Sequence, residues 1–74
     1  MNKDQQQFFK KFGAKIRKCR LEKGLTLEDM QKFDFSAAHF QKVESGSKAV
    51  NFFTVLRIAK AFGLKLKDLV SGLD

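Results

Sequence analysis

The side chains of this 74-residue chain that can do chemistry are mostly cations, amides and hydroxyls, with few nucleophiles among them. Fifteen Lys and Arg stand against eight Asp and Glu, a formal charge of +7. That excess favours polyanionic partners, nucleic acid first and an anionic membrane surface second. It is unevenly spread. Residues 1–25 hold eight cations (Lys3, Lys10, Lys11, Lys15, Arg17, Lys18, Arg20, Lys23) against Asp4 and Glu22, so six of the seven net charges lie there. Catalysis has little to work with, because no carboxylates converge and no nucleophile is spaced to meet a base. Cys19 falls in an apolar stripe, where a structural role is expected. His39 is the only histidine and no cysteine cluster accompanies it, so neither a zinc site nor a cofactor is expected. The chain reads as a binding protein, not an enzyme.

Seventy-four residues support one domain, and 43% apolar composition with nine Phe supplies a core for it. A single Cys excludes an intrachain disulfide, which fits a cytoplasmic setting. No apolar run approaches the roughly 20 residues that span a bilayer, and the polar stretch Met1–Gln7 lacks the apolar segment of a signal peptide. Residues 1–7 are therefore expected to be a polar extension, with the domain over 8–74.

The elements that must position these side chains are five short helices. Phe9, Phe12, Ile16 and Cys19 recur at three- and four-residue spacing, which predicts a first helix over about 8–23, stopped by Gly24. Its outer side is basic, as in a membrane-surface helix, but its apolar face is needed to close the core. Thr26 with Asp29 resembles a capping box for a second, two-turn helix carrying Leu27, Met30 and Phe33. Asp34-Phe35 leads to Ser36, the expected cap of a third helix through about Val43. Phe40 and Val43 should point inward there, Ala37, Ala38, Gln41 and Lys42 outward, and His39 should sit near the boundary. After the polar loop from Glu44 to Lys48, Asn51 can cap a fourth helix whose inward stripe is Phe52, Val55, Ile58, Ala59 and Phe62. Gly63 ends it, and Leu66, Leu69 and Val70 suggest a fifth. The fold class is all-α.

Two short helices joined by a tight turn, the second with an exposed polar face, have the outline of a helix-turn-helix unit. The run Ile16-Arg17-x-x-Arg20-x-x-x-Gly24-Leu25-Thr26-x-Glu28-Asp29-Met30 resembles the opening of the phage-repressor-like (Cro/C1, or XRE-type) domain family. Ser36-x-x-x-Phe40-Gln41-Lys42-Val43-Glu44-x-Gly46 resembles its recognition helix and the loop after it. The likeness continues through Thr54-Val55-x-x-Ile58-Ala59-x-Ala61-Phe62-Gly63-Leu64 and Leu66-x-Asp68-Leu69, so it covers about residues 8–71. Restriction–modification controller proteins are similarly small members of that family.

The resemblance implies a compact five-helix repressor-type domain that binds a near-palindromic DNA operator as a homodimer and regulates transcription. It places Ala37, Ala38, Gln41 and Lys42 at base edges, with His39 either near DNA or a boundary residue of no dedicated role. Backbone contacts would come from Arg17, Arg20, Ser36, Ser45, Ser47, Lys48 and Asn51. Phe40, Val43 and Glu44 would be structural, Glu44 bonding Arg17 or Arg20 of the first helix. Leu64, Leu66, Leu69, Val70 and Leu73 would form the dimer interface or close the monomer core. Leu27 stands where many members carry Gln, and it cannot grip the DNA backbone by hydrogen bonding. Leu27, Ala37 and Ala38 thus keep open a second reading, a protein-interaction or antitoxin module on the same fold with another protein as its partner.

Overall fold

Asn2 starts the first helix about two turns before the apolar periodicity begins at Phe9. In the computed structural model, which describes residues 1–73, the Asn2 side chain accepts the Gln5 amide at 2.8 Å and the Gln5 side chain accepts the Asn2 amide at 3.0 Å. This reciprocal cap satisfies two otherwise orphaned donors, and α1 runs over Lys3–Glu22. The helix therefore takes in most of residues 1–7, expected as an extension. Asp74, the last residue of the expected domain, lies outside the described residues. Phe12 and Ile16 are fully buried along α1, while Phe9 and Cys19 are half-buried at its edges.

Thr26 and Asp29 form the second cap. The Thr26 amide donates to the Asp29 carboxylate at 2.8 Å and the Asp29 amide to the Thr26 hydroxyl at 3.1 Å. Hydrogen bonding to its carboxylate, from the Thr26 amide first and the Thr26 side chain second, holds the Asp29 carboxyl below its ordinary range. The helix that follows, Glu28–Phe33, is a 3₁₀ helix. Leu27 at its cap and Met30 and Phe33 within it are spaced strictly by three, so three residues per turn stack them on one edge against the core. Asp34 then turns the chain with φ 65°, a left-handed conformation that Asp tolerates better than most residues. Phe35 follows and is buried at 2% exposure.

Ser36 caps α2 (Ala37–Ser45) by accepting the His39 amide at 3.0 Å, and Gly46 at φ 75° ends it two residues beyond the expected stop. Asn51 caps α3 (Phe52–Phe62) through the Thr54 amide at 2.8 Å. Leu66–Val70 forms α4, its start held by the Asp68 carboxylate on the Lys65 amide. The arrangement is all-α, five helices around one core with a helix-turn-helix at its centre. Phe40 lies in the middle of that core, edge-to-face with Phe35 at 5.3 Å and with Phe62 at 6.3 Å.

Two expectations are corrected. Phe52 is 66% exposed and does not join the inward stripe of α3. It lies within about 20° of buried Ala59 around the helix, but it is the first residue of α3, nearly two turns ahead of the buried Ile58, Ala59 and Phe62, so it sits at the end of the helix beyond the core. Leu69 and Leu73, at 0% and 9% exposure, belong to the monomer core, which leaves them no surface to offer a second subunit.

The closest packing is between α1 and α2. A side chain at Gly13 would run into the carbonyl oxygens of Val43 and Glu44, and one at Gly46 into the backbone of Lys10. Both clashes are with main chain, which cannot swing aside. Gly13→Ala should accordingly lower stability by about 1–3 kcal/mol despite the helix propensity Ala adds. Urea unfolding followed by circular dichroism would show it as a lower midpoint at unchanged slope.

Candidate nucleic-acid interface

The outer face of α2 is set by what grips its inner face. Phe40, Val43 and Glu44 point inward, and Glu44 meets Arg20 of α1 in a two-point ion pair. Arg20 Nε donates to Glu44 Oε2 at 2.6 Å, Nη2 to Oε1 at 3.1 Å, and Nη1 to the Leu25 carbonyl at 2.7 Å. Both residues are buried, Arg20 at 6% and Glu44 at 9% exposure. The hydrogen bonds to Glu44 raise the Arg20 pKa further above its already high ordinary value, against the pull of burial. Arg20 is therefore a buried structural cation. The expectation that it reaches DNA phosphates is corrected, because its guanidinium is engaged inside the protein.

A second arginine, Arg57 of α3, braces the turn that precedes α2. Its guanidinium donates to the carbonyls of Phe33 at 3.3 Å and Asp34 at 3.1 Å, and stacks over the Phe35 ring at 4.3 Å. Sequence reasoning did not single out Arg57. The available signal is its position, a cation set directly between apolar Leu56 and Ile58.

Held in this way, α2 turns Ala38, Gln41, Lys42 and Ser45 to solvent, with Ala37 and His39 half-buried on its two flanks. On the Gln41 side, Arg17 is exposed and shares a shallow groove with Leu27, Gln41 and Ser45. On the His39 side the field is positive. Burial first, then the charges of Lys48, Arg57 and Lys42, push the His39 pKa below its usual 6.5.

Below α2 the chain is knotted by hydroxyls. The Ser45 hydroxyl lies 3.0 Å from the Lys42 carbonyl and 2.9 Å from the Ser47 hydroxyl, which in turn is 3.4 Å from that carbonyl. Ser36, Ser45, Ser47, Lys48 and Asn51 are all exposed around the two ends of α2. The Ser36 hydroxyl oxygen and Asn51 Oδ1 are occupied as caps, which leaves the Ser36 O–H and the Asn51 amide N–H₂ as donors. One helix thus presents two methyls, an amide and an ammonium, between a cation on one flank and a donor-rich loop on the other. Small and polar groups on an outward helix, rimmed by positive charge, suit a nucleic-acid groove.

The family described as "Helix-turn-helix domain" matches residues 11–71, and the chain belongs to it. It is a DNA-binding, regulatory class of domain, and α2 is the second helix of the unit. No curated relative and no solved structure matches the chain. No helix among the described residues is long and apolar enough to cross a membrane.

Two predictions follow from this geometry. Arg20→Ala or Glu44→Leu leaves the other charge buried alone, a loss of about 3–5 kcal/mol. In a small domain that is a large part of total stability, so both variants should be largely unfolded by circular dichroism, whereas Arg20→Met/Glu44→Leu should recover much of the loss. Because His39 has a folded pKa below its unfolded one, it contributes nothing above pH 6.5. As pH falls through 6.5 the unfolded chain takes up the proton first, and stability declines until the folded pKa is passed. His39→Gln should flatten that decline in thermal melts between pH 8 and pH 5.5.

Proposed function

We propose that this chain is a sequence-specific transcriptional regulator of the Cro/C1 (XRE) type, acting in the cytoplasm as a homodimer on a near-palindromic operator. The observation that carries the proposal is the outer face of α2. Ala38, Gln41 and Lys42 are exposed on a helix locked from behind by Arg20–Glu44 and Arg57. In this reading α2 enters the major groove. Lys42 donates to guanine O6 and N7, Gln41 pairs with adenine or reaches a phosphate, and the methyls of Ala37 and Ala38 meet thymine methyls. Ser36, Ser45, Ser47, Lys48 and Asn51 hold the phosphates on either side of α2, with Arg17 beyond Gln41. These contacts fix register without reading sequence. His39 stands at the edge of the same surface.

Leu27 is half-buried against the core, so it supports the turn by packing where a polar residue would do so by hydrogen bonding. At the C-terminal end, half-buried Leu64 and Leu66 with exposed Val70 remain for a subunit contact.

Selection of duplexes from a random pool, followed by binding at several salt concentrations, tests the proposal. Lys42→Ala should weaken the selected site by about 1–3 kcal/mol and random duplex much less. Lys48→Ala should weaken both similarly and reduce the slope of log K against log salt by about 1. Equal losses on both duplexes for Lys42→Ala would remove its base-reading role. Failure to select any site would favour the protein-interaction module.

A further inference from the structure

We propose that the apolar surface formed by Phe8 of α1, Phe52, Phe53 and Leu56 of α3 and Val70 of α4 is the face on which a second copy of this chain docks. The inference deepens the dimeric part of the proposed function and rests on it. It moves the interface from the C-terminal segment alone to a surface centred on the outer side of α3.

These five side chains stay 43%, 66%, 68%, 40% and 40% exposed, respectively. Helix α3 is thus apolar on two sides, since Ile58, Ala59 and Phe62 already fill the core. Phe8, Phe52 and Val70 rim one groove, lined almost wholly by carbon. Leu56 follows Phe52 by four residues and Phe53 by three, so the apolar surface continues from the groove over the crest of α3. With each aromatic able to bury about 150–250 Å², the five leave on the order of 400–500 Å² open. That is about a tenth of the 4968 Å² surface and, counted on both copies, approaches the roughly 1,000 Å² of a specific interface before any polar rim is added.

The shape favours self-association over an unlike partner. A two-fold interface needs one patch that complements itself, and here protruding rings and a groove share one patch. Phe53 and Leu56 stand up from α3 beside the cleft that Phe8, Phe52 and Val70 surround. Phe52 also follows directly on the loop carrying Ser47, Lys48 and Asn51. A two-fold axis at this patch therefore brings the loops carrying Ser47, Lys48 and Asn51 from the two copies close to one another.

Charge adds a signature. Each copy carries +7, and Arg57 and Lys60 border Phe53. Salt should therefore strengthen the pairing by screening this repulsion, opposite to its effect on phosphate contacts.

Sedimentation equilibrium of the full chain without DNA, in about 0.1 M and 0.5 M salt, tests the inference independently of operator recognition. The wild type should dimerise, more tightly at the higher salt. Phe52→Glu and Val70→Glu, on separate helices, should each raise the dimer Kd about tenfold or more with unchanged circular dichroism. Leu21→Glu, at an exposed apolar site on the far end of α1, should change it by less than about twofold. Dimers that persist in both patch variants would overturn this interface and leave the dimeric reading standing. A wild type that stays monomeric at both salts would overturn both, and the groove would then await a different occupant.

Discussion

The buried pair between Arg20 and Glu44 is the contact on which the rest of the molecule turns. Neither ion can be buried alone, and the structure accounts for most of what the guanidinium must donate: two hydrogen bonds to Glu44 and one to the Leu25 carbonyl. Those three bonds tie together the end of α1, the entry to the helix-turn-helix and the end of α2. They form only because the backbones of α1 and α2 approach closely, which Gly13 and Gly46 allow by carrying no side chain. Packing and electrostatics are conditions for one another here. The glycines set the distance, and the ion pair fixes the rotation of α2 about its own axis.

Rotation is what matters for the proposed function, because it decides which residues of a short helix face outward. With Glu44, Phe40 and Val43 turned in, helical geometry leaves Ala38, Gln41, Lys42 and Ser45 out. Arg57 supplies the second constraint. By holding the carbonyls at the end of the 3₁₀ helix and stacking on Phe35, it fixes the turn that sets the angle at which α2 leaves. The 3₁₀ helix needs this support, since six residues in that conformation have little stability of their own. The outer face of α2 is thus determined from behind, by two arginines that do not belong to it.

How much of this could be read from the sequence depended on how local each signal is. The caps at Ser36, Asn51 and the Thr26–Asp29 pair are decided within four residues, and the all-α arrangement follows from them and from the spacing of Phe40, Val43, Ile58 and Phe62. The start of α1 was not legible from apolar periodicity, because it is set by Asn2 and Gln5, both polar. The 3₁₀ geometry was present in the strict spacing of Leu27, Met30 and Phe33, but a spacing of three also occurs in α-helices. Non-local facts were the hard ones. Arg17 and Arg20 stand three apart on one helix, and only packing shows that Arg20 is the one drawn inside. Likewise Leu69 and Val70 are neighbours of similar character, yet one is buried in the core and the other is 40% exposed.

The distribution of charge acquires a different meaning once the fold is known. Residues 1–25 carry most of the net charge. Of the cations on α1, however, Arg20 is spent on Glu44, and Lys15 donates to the carbonyl and hydroxyl of Ser71. Lys3, Lys10, Lys11, Lys18 and Lys23 remain exposed as a diffuse field, screened over about 8 Å at physiological salt. Such a field speeds encounter with any polyanion and cannot distinguish one sequence from another. The charges that His39 senses come instead from Lys42, Lys48 and Arg57, outside the basic N-terminal third. In the proposed DNA complex, attraction and reading would therefore be assigned to different parts of the chain, the first to α1 at long range and the second to α2 and its loop at contact distance.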